Sequence, residues 1–186
     1  LSGLGAVGNV AVLNPANGYD NSAALNDPSH SYSTIANAFA ACSAGKHDVV
    51  ALIGNGATTG TARLRSLLTW NKNATHLVGV GPPSGMMSRS RIAPPTGTYT
   101  SDTFGTPTFV TISASGCYFK DIAFFQSFST GENNEICVTV SGSYNVFENC
   151  QFAGNADAEA AVDAGSRSLK ITGEYNTFRR CNVGYP

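Results

Sequence analysis

Two stretches in the C-terminal part of the chain, VSGSYNVFENCQF at Val140–Phe152 and ITGEYNTFRRCNV at Ile171–Val183, share their apolar and turn letters while their charged letters change. The agreement extends further back. Val110, Ile112, Phe119, Ile122 and Phe124 recur as Val138, Val140, Phe147, Cys150 and Phe152 at a uniform offset of 28, and again as Leu169, Ile171, Phe178, Cys181 and Val183 at an offset of 31. Leu77 and Val80 in HLVGVG read as an earlier, weaker copy. Fixed spacing inside a block with variable length between blocks marks a solenoid, in which each block is one rung and insertions are confined to one loop.

Local chemistry selects the kind of solenoid. A leucine and asparagine framework and a 3.6-residue period are both missing, so leucine-rich and helical repeats are excluded. The runs at 64–70, 77–80, 109–112, 118–124, 136–140, 146–152 and 169–171 are short, apolar or alternating, and bounded by Gly, Ser, Asn or Pro, which reads as strands. Glycine at 20 of 186 residues suits many turns. The expected architecture is all-β: a single-stranded parallel β-helix whose inward residues stack rung on rung. Asn145 and Asn176 occupy equivalent turn positions and are expected to form an amide ladder. Cys150 is expected to lie against Cys181 in the core, as packing rather than redox chemistry.

One helix is expected. Ser31 or Ser33 serves as its N-cap, Ile35, Ala38, Phe39 and Cys42 fall on one face, and Gly45 ends it. At 186 residues the chain reads as one domain, with residues 1–45 as an N-terminal strand, loop and capping helix and residues 46–186 as rungs. The stretch 81–107, with five prolines, reads as a long surface loop.

The opening VLNPANGYDN, followed by YSTIANAFAACSAGKHDVVALIGNG, resembles the N-terminal segment of the right-handed parallel β-helix, pectate-lyase-like superfamily. The resemblance implies that an Asn-Pro-x-x-Gly-x-Asp loop leads to a helix capping the first rung. It covers nearly the whole chain and specifies fold, since that superfamily includes lyases, hydrolases, phage tailspikes, adhesins and virion proteins. The last rung has no comparable cover, so either more chain beyond Pro186 or a neighbouring subunit is expected there.

Charged residues are 12% of the chain and the net charge is −1, so no basic field exists to hold a nucleic acid. No run approaches the roughly 20 apolar residues of a membrane helix, and neither a membrane helix nor a signal peptide is expected. Cys42, Cys117, Cys137, Cys150 and Cys181 are odd in number, lack zinc spacing, and read as buried thiols. The resemblance would place clustered aspartates with Gly-His-Gly and Arg-x-Lys, or calcium-binding aspartates with a basic residue, in an enzyme; neither set occurs. His30, His47 and His76 lie in separate segments without paired carboxylates and read as surface or turn histidines.

The best acidic set is Glu132 and Glu135 in STGENNEI with Asp157, Glu159 and Asp163 in GNADAEAAVDAG. These loops leave equivalent positions, so two carboxylates there could act as acid and base of a glycosidase. They could also hold calcium with Asn133, Asn134 and Asn155, although no cofactor is expected; a solvated polar loop is the plainer reading. Glu148 and Arg179 are expected to pair across rungs. Arg63, Arg65, Arg89 and Arg91 are candidates to meet a partner subunit, and Trp70, Tyr99 and Phe104 to contact a sugar or another chain.

Low charge, missing catalytic motifs and an uncovered rung favour a non-enzymatic virion component: a capsid decoration, head fibre or tailspike made in the host cytoplasm. It would be homo-oligomeric, preferably trimeric, and would contact other virion proteins. The alternatives are a polysaccharide lyase or glycosidase, which could be secreted, and a carbohydrate-binding adhesin with exposed aromatics on one face.

Overall fold

A computed structural model describes residues 8–54, 58–81, 90–96, 100, 104–128, 135–154 and 164–184. The strands are β1 (Val10–Leu13), β2 (Val49–Ile53), β3 (Ala62–Arg63), β4 (Leu68–Trp70), β5 (His76–Val80), β6 (Arg91–Ala93), β7 (Thr108–Ile112) and β8 (Tyr118–Lys120). They continue as β9 (Ala123–Phe125), β10 (Ile136–Val140), β11 (Val146–Glu148), β12 (Gln151–Ala153), β13 (Arg167–Ile171), β14 (Thr177–Arg179) and β15 (Asn182–Val183). They form three sheets: a first of β1-β2-β5-β8-β11-β14, a second of β3-β6-β9-β12-β15 and a third of β4-β7-β10-β13. Each coil gives one strand to each sheet in turn, and every pairing between named strands is parallel. The chain is a parallel β-helix.

The repeat spacing is the pairing register. Val110, Val138 and Leu169 are ladder partners, as are Ile112, Val140 and Ile171 in the third sheet. Phe119, Phe147 and Phe178 align in the first sheet, and Phe124, Phe152 and Val183 in the second. The rings of Phe119, Phe147 and Phe178 stack at 4.8 and 4.7 Å. Leu77 continues that column below Phe119. Cys150 sits one coil from Ile122 and from Cys181, whose Sγ donates to the Phe147 carbonyl at 3.5 Å. All five cysteines are free thiols, and only Cys181 is not buried. Each fully buried phenylalanine contributes roughly 1.5–3 kcal/mol of apolar burial.

Three expectations about elements change. The runs at 118–124 and 146–152 are each two strands, because Asp121 (φ 55°) and Asn149 (φ 51°) adopt left-handed backbone and turn the chain from the first sheet into the second. Of the run at 64–70 only Leu68–Trp70 is strand (β4), and β3 ends just before the run at Arg63. The stretch 81–107 is not wholly a surface loop: β6 lies inside it, and Ile92 is fully buried beside Phe124.

The helix α1 (Ile35–Ala41) is shorter than expected, and its N-cap is Thr34, whose hydroxyl accepts from Asn37 N–H at 3.3 Å. Asp20 takes the hydrogen bonds that precede it, accepting from the N–H and hydroxyl of both Ser33 and Thr34. Partial burial pushes its carboxyl up, but hydrogen bonds from Ser33, Asn37 and Thr34 outweigh this and hold it at about 2. Gly18 is required in that loop, since a β-carbon would fall 2.2 Å from the Tyr32 carbonyl oxygen. At the other end of α1, Lys72 Nζ donates to the carbonyls of Phe39, Ala40 and Cys42 at 2.8, 2.8 and 2.6 Å. Phe39 then stacks on Trp70 at 4.2 Å, closing that end of the core. At the other end the cover is thinner, with Ile171 and Val183 exposed at 48% and 59%.

Candidate functional site

Three corners join the sheets, and functional side chains are judged by which corner carries them. At the corner from the second sheet to the third, Glu132, Asp157, Glu159 and Asp163 lie outside the described residues, as do Asn133, Asn134 and Asn155. Glu135 is described and is no solvated loop residue. It is fully buried, and its Oε2 accepts from Gln126 Nε2 at 3.2 Å, with Gln126 equally buried. Its carbonyl accepts from Arg167 N–H at 2.8 Å, which fixes the start of β10 against β13. Among the described residues the Glu135 carboxylate therefore lies inside the fold, beside Gln126. Among the described residues no three His, Cys, Asp or Glu side chains are grouped to hold a metal ion.

The corner from the first sheet to the second carries the charged letters that differ between the repeats. Glu148 and Arg179 are register partners, but the ion pair forms between Glu148 and Arg180. Arg180 has left-handed backbone (φ 52°), which turns its guanidinium back onto the preceding coil. Glu148 also accepts from the Tyr118 hydroxyl at 2.7 Å. That bond, against some burial and with help from Arg180 and Lys120, holds the Glu148 carboxyl below its ordinary value. Burial and Glu148 push Tyr118 up to about 12. On the second sheet, Arg63 donates to the Pro94 carbonyl at 2.6 Å and Arg91 lies over the Phe125 ring at 5.5 Å; Arg89 lies outside the described residues.

The histidines are not isolated. His30 Nδ1 lies 2.7 Å from Asp27 Oδ2. His47 and His76 are brought together across coils, with His47 Nδ1 3.2 Å from His76 Nε2. His76 Nδ1 accepts from Tyr118 N–H at 3.0 Å, so that nitrogen carries a lone pair and Nε2 carries the proton. Burial, and then His47, push His76 below the ordinary histidine value.

The corner from the third sheet back to the first is the most regular. An inward polar column there includes Asn145 and Asn176, and the expected ladder differs in kind: each amide bridges backbone, not the neighbouring amide. Asn145 Oδ1 accepts from Cys117 N–H at 2.9 Å and its Nδ2 donates to the Ala114 carbonyl at 3.0 Å. Asn176 repeats this with Asn145 N–H and the Gly142 carbonyl, both at 2.9 Å. Asp48 does the same work near the capped end, accepting from Asn9 N–H.

One residue before that polar column, His47, Ala74, Gly116, Tyr144 and Tyr175 all have left-handed backbone, with φ of 58°, 50°, 68°, 59° and 55°. Tyr144 and Tyr175 are 64% and 73% exposed, and their rings stack at 5.1 Å and 7°. Beside them Ser115 Oγ accepts from Ser143 N–H, and Ser143 Oγ accepts from Glu174 N–H, each at 3.0 Å. Left-handed backbone costs a tyrosine about 1–2 kcal/mol, while a ring pair returns about 0.5–1.5 kcal/mol beyond burial. Two such residues cost about 2–4 kcal/mol together, more than one ring pair returns, so the pair adds no net stability. The aromatics expected at the surface lie elsewhere: Trp70 and Phe104 are 1% and 5% exposed in the core, and Tyr99 is outside the described residues. The repeated Tyr-Asn of SYN and EYN was the signal for the exposed pair.

No protein-family model and no curated protein sequence matches the chain. Two solved structures are similar to it. One is pectin methylesterase PemA from Erwinia chrysanthemi, with a TM-score of 0.62 and 18% identity over 92% of this chain. The other is a pectin methylesterase mutant in complex with a hexasaccharide, with a TM-score of 0.59 and 19% identity over 92% of this chain. The chain spans 48% of the length of each. At this identity the likeness is one of fold.

Proposed function

We propose that this chain is the β-helical body, or a part of it, of a carbohydrate-active enzyme that processes a polysaccharide. The observation that supports the reading is the likeness over 92% of the chain to two enzymes named as pectin methylesterases, one of them holding a hexasaccharide. A parallel β-helix suits such a ligand physically, because its repeating coils offer a long regular surface to a repeating polymer. The low net charge of −1 and the exposed tyrosine pair agree with a sugar ligand that is recognised by stacking and hydrogen bonds more than by charge. A virion role has no such support from either comparison.

The reaction type is decided by assay. The protein would be incubated with pectins of differing methylation, alginate, glucans and bacterial capsular polysaccharides. Acid release reports an esterase, ultraviolet absorbance of unsaturated ends a lyase, and new reducing ends a hydrolase. Turnover or retardation in a polysaccharide-containing gel is expected with at least one polymer. Absence of both across the panel overturns the reading.

A further inference from the structure

We infer that the face of Tyr144 turned toward Gly116 is a binding subsite for one pyranose ring of an oligosaccharide. The inference rests on the proposed carbohydrate function and names where on the coil surface a sugar is held.

The geometry begins with the left-handed column. Tyr175 covers one face of Tyr144. One coil back, on the other side of Tyr144, the equivalent position is Gly116, and a β-carbon there would have nothing within 4 Å. The coil before that offers only Ala74, whose side chain is a single methyl. Where the aromatic column would continue, there is open space one ring deep or more, since coils are spaced by about 4.8 Å.

The chemistry of the walls fits a sugar. An aromatic face carries partial negative charge, which attracts the C–H groups on one side of a pyranose. The polar rim is supplied by Ser115 and Ser143. Each hydroxyl oxygen already accepts a backbone N–H at 3.0 Å, which holds it in place, while its own O–H proton meets no acceptor among the described residues. Both are ready to donate to sugar hydroxyls beside the ring. The platform is also preformed: Ala74 N–H bonds the Ser115 carbonyl, Gly116 N–H the Ser143 carbonyl, and Tyr144 N–H the Glu174 carbonyl at 3.0, 3.1 and 3.1 Å. Little ordering is left for the ligand to impose.

Two variants test the site. Tyr144→Gly installs the residue that position 116 already carries, so it removes a ring and relieves the backbone. Gly116→Asn fills the slot with a side chain that tolerates left-handed backbone and leaves both tyrosines in place. The probes are hexamers of galacturonic acid, glucose, mannose and N-acetylglucosamine, followed by amide shifts at Ser115, Gly116, Ser143 and Tyr144, with thermal midpoints measured for each protein. The expected result is binding by the unaltered protein to at least one hexamer. Tyr144→Gly and Gly116→Asn should each weaken it by about tenfold or more, equivalent to about 1.4 kcal/mol, without a lowered midpoint. If a hexamer binds and the two variants bind it equally well, this subsite is wrong while the carbohydrate reading stands. If no hexamer binds the unaltered protein, the subsite is overturned; polymer turnover in the separate panel then decides the wider reading alone.

Discussion

The backbone N–H of Asn145 donates to the side-chain Oδ1 of Asn176, one coil further on, at 2.9 Å. Asn145 in turn accepts from Cys117 N–H on its own Oδ1 and donates from its Nδ2 to the Ala114 carbonyl. One fully buried amide therefore satisfies two backbone groups at a corner where the strand ladders are interrupted. Asn145→Ala strands both and is expected to cost about 2–4 kcal/mol, from two groups at roughly 1–3 kcal/mol each with partial relaxation. Urea denaturation measures it. Asn176→Ala, at a partly exposed position, should cost clearly less, and equal losses would mean that burial does not set the penalty.

Gly142 and Gly173 each face a carbonyl of the coil before: a β-carbon would fall 1.9 Å from the oxygen of Ala114 or of Gly142. The obstacle is backbone and does not swing aside. Gly142→Ala is expected to lose about 3 kcal/mol or more, or to yield no folded protein. Gly116→Asn, at an open position, should keep its thermal midpoint and serves as the control.

Asp20 is held at about 2, below the ordinary 3.8, so the folded chain favours its ionised form. Its contribution to stability is complete above about pH 4 and is lost as pH falls toward 2. Asp20→Asn should cost about 1–3 kcal/mol at neutral pH, because charged hydrogen bonds to Ser33 and Thr34 are weakened. The gap between the two proteins should close as acid is added. A gap that is unchanged from pH ~7 to ~2 would place the effect elsewhere.

His76 also costs stability toward acid, but in a higher pH range and because its charged form is the disfavoured one. Burial and His47 lower its affinity for a proton in the fold, so below about pH 6.5 the unfolded chain binds more protons and stability falls as pH drops. Above that pH its contribution is flat. Imidazole resonances followed from pH ~8 to ~5 should show His76 titrating below the free value. His47→Ala, which removes one of the two causes, should move it upward.

The scaffold was legible because its signal is strictly local: inward positions such as Phe119, Phe147 and Phe178 must match from coil to coil, so their spacing is written openly. The bends at Asp121 and Asn149 were hidden, since residues tolerant of left-handed backbone leave the apolar alternation looking continuous. The Glu148 and Arg180 pair was missed by one position, because ladder register alone does not show which way a left-handed residue aims its side chain. His47 and His76 meet only through register across an irregular insertion, which no fixed offset reveals. The tyrosine pair lay in plain view inside the repeat. Its positions face water, so no requirement of core packing marks them.

Lys72 holds the last carbonyls of α1 from a turn some thirty residues away in sequence. A helix of seven residues has no independent existence in water, so this one ammonium makes the helix an appendage of the corner that presents it. The helix and the coil beneath it are expected to unfold as one cooperative unit. Slow amide exchange in α1 is accordingly expected to gauge the integrity of β4 and its corner, so the capped end of the solenoid reports on itself through its helix.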